Sequence, residues 1–376
     1  MKVCFVIHRL DFFVSHRFDL ALSLAKTHEV CVIADCLNAP KEEVQRIQSL
    51  GISIHHLPSR SGSLNLISYL KYVLSLKRII HAIKPNFLFY VTLEMSVFGA
   101  LLHNFISPKK SFFLITGLEP FFFNRKLKYI LYRAIQKFFF LLLRLRSNYH
   151  FIFQNSDDMK TFINKKLVTR NHASIIPGSG IDMNHFSFQQ RNTSNKLIFL
   201  FASKLIRSKG IIEYFEASRD LALKYPDIEF HIAGSFDLTN PDSITQSEFH
   251  ELQSNHAIKY LGSLAFHEMK SCLNAASVLV LPSYGEGLPK IGLEAAASGM
   301  PLIMTNTTGS RDCVVEGKNG FLVNANSPSH LMSAMEKFIL KRDLVSTFGK
   351  NSFLLVKEHF SIELISKEYL KLLEDV

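Results

Sequence analysis

Short apolar runs alternate with amphipathic stretches along this chain, and such an alternation is compatible with few folds. An apolar run too short for a helix and bounded by turn residues indicates a buried β-strand. Strands separated by helix-length segments indicate a parallel sheet with helices on both faces. In the first half of the chain, the strand-like runs are residues 2–7, 29–34, 86–92, 110–116, 151–154 and 173–176.

A polar segment, residues 187–196 (SFQQRNTSNK), has no periodicity and indicates a linker. After it the alternation begins again, and residues 361–373 have the pattern of an amphipathic helix. The sequence therefore predicts two doubly wound, Rossmann-like α/β domains, residues 1–188 and 189–359, facing a cleft. In the second domain, the strand-like runs are residues 197–202, 229–233, 259–261, 278–281, 302–305 and 320–323.

The composition narrows the class of protein further. Of the 376 residues, 47% are hydrophobic and 20% are charged, which fits a globular protein and excludes a disordered one. The five cysteines form no CxxC or Cys/His spacing, which argues against a disulfide framework or a zinc site and for a reducing cytosol. The first apolar run, residues 3–7, is too short for a signal peptide. No segment approaches the roughly 18–20 apolar residues of a membrane span.

Residues 277–301 (SVLVLPSYGEGLPKIGLEAAASGMP) combine a strand, a glycine-bearing turn and a helix. The helix is predicted to begin near residues 289–290 and to stop at Gly299. A loop that leads into a helix presents backbone N–H groups and the positive end of the helix dipole, which suit a diphosphate. Glu286 in the loop and Glu294 on the helix can bind hydroxyl pairs, because carboxylates only accept hydrogen bonds. The alternative is an ordinary strand–turn–helix with solvated glutamates.

A basic loop follows the first strand of the second domain. Residues 201–210 (FASKLIRSKG) place Lys204, Arg207 and Lys209 before a glycine and a predicted helix. Three cations at this place can neutralise a diphosphate leaving group, which is the main electrostatic requirement of transfer from a nucleotide sugar. The alternative is a solvated basic loop.

Together these motifs resemble the large family 4 type of retaining glycosyltransferases with the GT-B fold, which includes many bacterial polysaccharide and lipid-linked oligosaccharide transferases. The pattern Pro-Ser-x-x-Glu-Gly-x-x-x-x-x-x-Glu-Ala is present at residues 282–295, and Arg/Lys-x-x-x-x-Lys-Gly at residues 204–210. Residues 177–182 resemble Pro-x-Gly-Ile-Asp with one extra residue, and IFQNSDD at residues 152–158 is also similar. The resemblance implies that a helix within residues 360–376 packs back on the N-terminal domain.

The resemblance also implies roles for individual residues. Glu286, Lys209 and Lys204 would be catalytic, with Glu286 on the donor sugar and the lysines on the diphosphate. Glu294 would bind the ribose of a nucleotide sugar, expected to be UDP-linked. The anomeric configuration would be retained, and no metal ion or cofactor would be needed. The acceptor side is expected around His16 and Thr116. The other predicted substrate-binding residues are Gly287, Leu288, Pro289, Lys290, Gly234, Ser235, Leu264, Gly117 and Asn155.

The chain departs from the family pattern at three places. Where the family often has a Gly-Gly loop after the first strand, this chain has HRLDFFVSHR, which would let His16 and Arg17 reach the cleft. A helix cap at Ser15 with His16 on the surface is the alternative. Thr116 occupies the position of a histidine found in many members, which argues against a histidine-assisted mechanism. Lys204 replaces the usual arginine, so charge is kept but bidentate geometry is lost.

Positive charge is concentrated in the first half of the chain. The net charge is +11, and residues 1–190 alone carry +13. Residues 121–150 contain seven Lys or Arg and no Asp or Glu, beside a run of Phe and Leu. A basic stripe on an apolar helix suits an anionic membrane interface. The alternative is a solvated helix face, and nucleic acid is disfavoured because no recognition motif accompanies the charge. At 100° per residue, the side chains that fall within about 20° of one line are Lys126, Arg133, Lys137 and Arg144.

We therefore predict a peripheral enzyme at the cytosolic face of the cell membrane. It would transfer a hexose-type sugar from a UDP-sugar to a polyprenyl-diphosphate-linked saccharide, in the synthesis of a surface glycan such as an O-antigen. One alternative is a GT-B-fold sugar-nucleotide epimerase or hydrolase. Another is a non-enzymatic protein that binds nucleotides or nucleic acid. The sugar, the linkage and the oligomeric state stay open.

Overall fold

The chain forms two compact units in the computed structural model. The first unit combines Met1–Gly180 with Ile362–Val376, and the second unit is Ile181–Ser361. The chain enters and leaves the second unit through neighbouring segments, since the N–H of Ile181 donates to the carbonyl of Phe360. The structure describes residues 1–58, 66–118, 127–191, 196–237, 240–254 and 258–374.

A parallel sheet lies at the centre of the first unit. Its strands are β1 (Lys2–Arg9), β2 (Glu29–Asp35), β3 (Ile52–His56), β4 (Phe87–Val91), β5 (Lys110–Ile115), β6 (Tyr149–Phe153) and β7 (Ala173–Ile175). Their spatial order is β3-β2-β1-β4-β5-β6-β7, and every neighbouring pair is parallel. The connections run outwards in both directions from β1, which is the doubly wound arrangement.

Helices cover both faces of this sheet. Alternate side chains of β1 explain this, because Val3 and Phe5 enter one core and Cys4 and Val6 enter the other. The helices on the Val3 side are α1 (Leu10–His16), α2 (Phe18–Ala25), α3 (Lys41–Ser49) and α14 (Ile362–Glu374). Those on the Cys4 side are α4 (Leu66–Ile83), α5 (Leu93–His103), α6 (Leu127–Leu142) and α7 (Ser156–Asn164).

The second unit is built in the same way. Its strands are β8 (Ile198–Ala202), β9 (Glu229–Ala233), β10 (Ile258–Tyr260), β11 (Val278–Leu281), β12 (Leu302–Thr305) and β13 (Gly320–Val323). They form a parallel sheet in the order β10-β9-β8-β11-β12-β13. The helices are α8 (Ile211–Lys224), α9 (Gln246–Ser254), α10 (Phe266–Ala275), α11 (Lys290–Ala297), α12 (Pro328–Leu340) and α13 (Asp343–His359).

The predicted fold class, two doubly wound Rossmann-like α/β domains, is confirmed. The predicted bounds of β9, β11, β12 and β13 coincide with those observed. One strand, β3, is missing from the sequence-based prediction. Its sequence, ISIHH, has few apolar residues because it is an edge strand that pairs with β2 and is only partly buried.

The second unit begins before the linker predicted at residues 187–196. Phe188 packs its ring 5.2 Å from that of Phe353. Arg191 is buried, and burial lowers the pKa of its guanidinium to about 10. This polar segment looks like a linker in sequence because its hydrogen-bond partners are distant in the chain. The backbone carbonyls that accept from the Arg191 guanidinium belong to Leu273, Asn274, Ala276, Ser298 and Gly299, at the C-terminal ends of α10 and α11.

Helix α14 returns from the end of the chain to the first unit, where it packs on α2. Tyr369 of α14 is buried with its ring 5.9 Å from that of Phe89 in β4. Among the helices of the described ranges, none is both long enough and apolar enough to cross a membrane.

Candidate functional site

Three loops of the second unit meet at the carboxyl edge of its sheet. They follow β8, β11 and β12, which are neighbours in the sheet. The N–H of Tyr284 donates to the carbonyl of Ser208 at 2.8 Å, which joins the first two loops. The N–H of Glu286 donates to the carbonyl of Thr308 at 3.1 Å, which joins the second and third. Ligands of open parallel sheets bind at this edge, so these loops are the candidate site.

Lys209 and Glu286 form an ion pair between the first two loops. The distance from Lys209 Nζ to Glu286 Oε1 is 2.5 Å, and the side chains are 23% and 13% exposed. Gly210, directly after Lys209, has φ of +78° and so favours glycine. A Cβ at Gly210 would lie 2.2 Å from the carbonyl oxygen of Pro282. The close approach that brings the two charges together therefore requires a glycine at this position.

The two other cations of the basic loop have different partners. Lys204 pairs with Asp237, with Nζ 2.8 Å from Oδ2, and its side chain is 60% exposed. Arg207 pairs with Glu248 of α9. Of the two lysines predicted to be catalytic, Lys209 is therefore the one in contact with Glu286. Lys204 lies beside the loop that follows β9.

The helix α11 begins at Lys290, after Pro289 as its N-cap. Glu294 is buried one turn further on, with Oε1 3.4 Å from Lys290 Nζ. A lysine in the first turn opposes the positive end of the helix dipole, and an anion at this end would relieve that repulsion. Leu288 is buried and Gly287 is partly exposed. The predicted stop at Gly299 is a Schellman motif, since Met300 donates to the carbonyl of Ala295 and Gly299 to that of Ala296.

The loop after β12 is a part of the site that sequence reasoning did not find. Gly309 has φ of +75°, and a Cβ there would lie 2.4 Å from the carbonyl oxygens of Glu286 and Gly287. Thr305 and Thr307 both donate from their hydroxyls to the carbonyl of Ser283. The glycine in the polar run TNTTG after a predicted strand was the available signal.

Tyr284 and Glu213 are a second pair that sequence reasoning missed. The Tyr284 hydroxyl donates to Oε1 of Glu213, which is buried in the first turn of α8. Oε2 of Glu213 is also buried and has no hydrogen-bond partner among the described residues. Burial raises the pKa of Tyr284, and the neighbouring Glu213 raises it further. The tyrosine therefore stays protonated and links the β11 loop to α8.

The predicted nucleotide-side residues lie at the ends of β9 and β10. A Cβ at Gly234 would lie 1.8 Å from the carbonyl oxygen of Ser203, so glycine is required there. The Gly234 carbonyl accepts from the hydroxyl of Tyr260 at 2.8 Å, and the Ser235 carbonyl accepts from Leu205 N–H at 3.0 Å. Leu264 is partly buried and packs on the core. These residues thus lie at the same carboxyl edge as the Lys209 loop.

In the first unit, a buried arginine is linked through Gln154 to the loop that follows β5. Arg17 is 2% exposed, and its Nη1 lies 3.4 Å from the Gly178 carbonyl and from the Tyr369 hydroxyl. With the Gln154 amide oriented to satisfy both neighbours, it accepts from Arg17 Nη2 and donates to the Thr116 carbonyl, each at 3.1 Å. The expectation that Arg17 reaches a cleft is therefore wrong, because its guanidinium is inside the unit.

The other predicted acceptor residues differ in their surroundings. Gly117 has φ of +144°, directly after Thr116. His16 is partly exposed and stacks on Phe12 with ring centroids 4.2 Å apart. The alternative that Ser15 caps a helix is wrong. Ser15 lies inside α1, where its hydroxyl donates to backbone carbonyls of that helix, and Arg17 is the N-cap of α2.

Asn155 is buried as the N-cap of α7. Its side chain accepts from the N–H of Asp158 at 2.8 Å and donates to the Asp158 carboxylate at 2.9 Å. These bonds give Asn155 a structural role at the carboxyl end of β6. Whether it also binds a substrate stays a prediction.

The predicted membrane residues are placed on α6 and just after it. Lys137 and Arg144 are exposed and Arg133 is partly exposed, while Lys126 lies outside the described residues. Arg144 donates to the carbonyl of Lys166 at 2.8 Å.

Comparisons with known proteins agree with this architecture. Residues 182–354, within the second unit, match the family model for glycosyl transferases group 1. Over its whole length the chain is also 23% identical to the N,N'-diacetylbacillosaminyl-diphospho-undecaprenol alpha-1,3-N-acetylgalactosaminyltransferase of Campylobacter jejuni, covering 99% of that protein. The chain is a glycosyltransferase with the GT-B fold. Its second unit therefore carries the family's group 1 domain.

Two further comparisons bear on this glycosyltransferase. It is 27% identical over 175 residues to the capsular polysaccharide biosynthesis glycosyltransferase CapM of Staphylococcus aureus, over 46% of this chain and 45% of CapM. That alignment therefore spans about half the length of either protein. The solved structure of Anabaena HepE with UDP and glucose superposes with a TM-score of 0.78 and 16% identity, over 100% of both chains. At that identity the likeness shows the fold.

The described part of this glycosyltransferase contains no group of three His, Cys, Asp or Glu side chains arranged to hold a metal ion. The predicted independence from metal ions stays a prediction.

Proposed function

We propose that this glycosyltransferase moves a sugar from a UDP-linked donor to a lipid-linked saccharide and retains the anomeric configuration. The contact between Lys209 and Glu286 carries this proposal, and Glu286 lies just ahead of α11 in the chain. A cation and a carboxylate side by side match the two parts of a nucleotide-sugar donor. The lysine suits the diphosphate, and the carboxylate suits the sugar hydroxyls.

In this mechanism negative charge grows on the departing diphosphate. Lys209, Lys204 and the N-terminal end of α11 stabilise that charge, which replaces the need for a metal ion. Glu286 holds the sugar and Glu294 holds the ribose. The acceptor hydroxyl forms its bond to the anomeric carbon on the face from which the diphosphate leaves. Configuration is retained because the new bond forms on the same face as the bond that breaks, and the hydroxyl proton passes to a phosphate oxygen of the leaving group.

The substrate classes are inferred from relatives. Anabaena HepE was solved with UDP and glucose, and the name of the Campylobacter jejuni relative contains a diphospho-undecaprenol acceptor. We extend both to this chain as a UDP-sugar donor and a polyprenyl-diphosphate-linked acceptor. On the acceptor side, His16 and the loop of Thr116 and Gly117 are the proposed contacts. The buried Arg17 fixes that loop through Gln154.

The test of the donor site is the substitution Glu286→Gln, which keeps the size of the side chain and removes its charge. We expect kcat to fall about 10²–10³-fold, as for loss of one transition-state contact. Glu358→Gln, at an exposed position of α13, is the matched control and should leave transfer unchanged. Transfer by Glu286→Gln at the wild-type rate would refute the assignment. Product analysis with and without acceptor separates transfer from hydrolysis or epimerisation.

The donor base is tested by a thermal-shift panel of UDP-, GDP- and ADP-sugars. A ligand at 100 times its Kd stabilises the folded state by about 2.7 kcal/mol. We expect the largest rise in Tm with UDP-sugars. An equal or larger rise with GDP- or ADP-sugars would contradict the UDP assignment and leave glycosyl transfer itself intact.

We also propose peripheral binding to the cytosolic face of the membrane through α6. This helix buries Phe140 and exposes Ile130, Ile135 and Phe138 on other sides. The cation Lys137 lies next to this apolar surface in the helix. A helix with exposed apolar side chains and a basic flank fits an anionic interface. Binding to oligonucleotides but not to anionic liposomes in co-sedimentation would contradict this and favour a nucleic-acid partner.

A further inference from the structure

A groove of about 490 Å³ lies between α6 and the turn that follows α7 in the first unit. Of the residues in the described ranges that line it, four are cations and none is Asp or Glu. The potential inside the groove is therefore positive, and an anion would be drawn to it. The four cations are Arg133, Lys137, Lys165 and Lys166.

Gln136 supplies a second observation that points to a ligand. It lines the groove and is 1% exposed, and its Nε2 is buried without a hydrogen-bond partner in the described structure. A buried amide donor without an acceptor destabilises the folded state. An anionic oxygen in the groove would give this donor its missing acceptor.

The cationic side of the groove is held in place by backbone contacts. Lys166 has φ of +57°, an uncommon value for a residue with a side chain. Its N–H donates to the carbonyl of Ile163 at 2.9 Å, and its carbonyl accepts from Arg144 at 2.8 Å. The N–H of Lys165 donates to the carbonyl of Thr161 at 3.0 Å. The turn is therefore ordered without an anion, which lowers the entropy cost of binding one.

Apolar side chains form part of the lining of the groove. Ile130 and Ala134 of α6 and Leu167 of the turn line it, and Ile130 is exposed. A soluble phosphate ion has no apolar part that could contact these apolar side chains. A lipid has a phosphate joined to acyl chains. We propose that the groove binds the phosphate of an anionic lipid headgroup, with Gln136, Lys137 and Lys166 as its contacts. This inference rests on the membrane association proposed above and gives it one defined site.

The first experiment compares binding to vesicles of phosphatidylcholine with and without phosphatidylglycerol. In the double variant Lys137→Ala/Lys166→Ala, we expect binding to phosphatidylglycerol vesicles to fall about thirtyfold, at about 1 kcal/mol for each lysine. The control is Lys26→Ala/Lys41→Ala, two exposed lysines on the other face of the sheet. The control should lose less than about threefold. Equal losses in the two double variants would overturn the proposal in favour of diffuse attraction.

The second experiment uses Gln136→Met, which keeps the length of the side chain and all charges. We expect its Tm to equal or exceed that of the wild type, because a buried unpaired donor is removed. We also expect weaker binding to phosphatidylglycerol vesicles. Unchanged vesicle binding would contradict a specific headgroup site.

Two further measurements distinguish a wrong lipid assignment, a wrong headgroup site and a wrong proposed function. Displacement of the wild type from vesicles by inorganic phosphate at equal phosphorus concentration would overturn the lipid assignment in favour of a free-phosphate site. Transfer from a UDP-sugar to a water-soluble acceptor is measured on the wild type without vesicles. Activity there with no vesicle binding would refute this inference alone. Groove-dependent vesicle binding with no transfer to any acceptor would refute the proposed function alone.

Discussion

Lys209 and Glu286 are 77 positions apart in the sequence, and their Nζ and Oε1 atoms lie 2.5 Å from each other. The backbone of their loops sets this geometry, because Tyr284 donates to the carbonyl of Ser208 and Gly210 packs on Pro282. The ion pair is therefore placed by two neighbouring strands. A bound diphosphate would give the lysine a second anionic partner and leave the carboxylate for the sugar.

The first prediction concerns Lys209→Met. We expect kcat to fall about 10²–10³-fold, because one cation on the departing diphosphate is lost. Tm should change little, since a partly exposed ion pair contributes no more than about 1 kcal/mol. Steady-state kinetics and a thermal melt measure the two effects. Lys224→Met removes the pair with Glu336 at the C-terminal end of α8, the end away from these loops, and should leave kcat unchanged. Wild-type kcat in Lys209→Met would count against a role in catalysis.

The second prediction concerns Tyr284→Phe. Loss of the hydroxyl leaves Oε1 of the buried Glu213 without its donor, which should lower the free energy of unfolding by about 1–3 kcal/mol. Urea denaturation measures this. Tyr225→Phe is the matched control, because its hydroxyl donates to Glu336, whose side chain is more accessible to water. If both substitutions lower the free energy of unfolding by the same amount, the burial of Glu213 does not strengthen the contribution of the Tyr284 hydrogen bond.

The third prediction concerns Arg191→Met. The guanidinium caps the C-terminal ends of α10 and α11, and methionine leaves their carbonyls without a donor. We expect the free energy of unfolding to fall by about 3 kcal/mol or more, since hydrogen bonds from a charged group contribute about 1.5–3 kcal/mol each. The control Lys196→Met breaks an exposed ion pair with Glu229 and should leave the free energy of unfolding nearly unchanged. A cost for Arg191→Met as small as that of the control would show that the Arg191 guanidinium does not stabilise the two helix ends.

The fourth prediction concerns pH. Burial lowers the pKa of His103 from 6.5 to about 4, although its ring contacts Ser111 and Asn148. Between pH 6.5 and about 4 the unfolded chain binds a proton here that the folded chain does not, so stability falls as pH falls through this window. His103→Gln should reduce that slope by at most about 1.4 kcal/mol per pH unit, measured by urea denaturation at several pH values. An unchanged slope in His103→Gln would contradict the assignment.

Local sequence patterns predicted most of the fold. The apolar runs at residues 278–281 and 302–305 became β11 and β12 with the same bounds, because a strand buried on both faces needs continuous apolar sequence. Gly299 ended α11 as expected, because only a residue that tolerates positive φ fits a Schellman motif. The edge strand β3 was missed for the converse reason, since partial burial leaves its apolar pattern weak.

The sequence by itself determined the two α/β units and the loops that carry the charged residues. Only the tertiary structure decided which charges meet. In the sequence, Lys204 and Lys209 are equally good candidates for a catalytic cation. In the structure, Lys209 pairs with Glu286 and Lys204 pairs with Asp237. The order of the strands in the sheet fixes those partners, and local propensity does not encode it. Arg17 was placed in the interior for the same reason, because its neighbour Tyr369 is contributed by a helix 352 positions away.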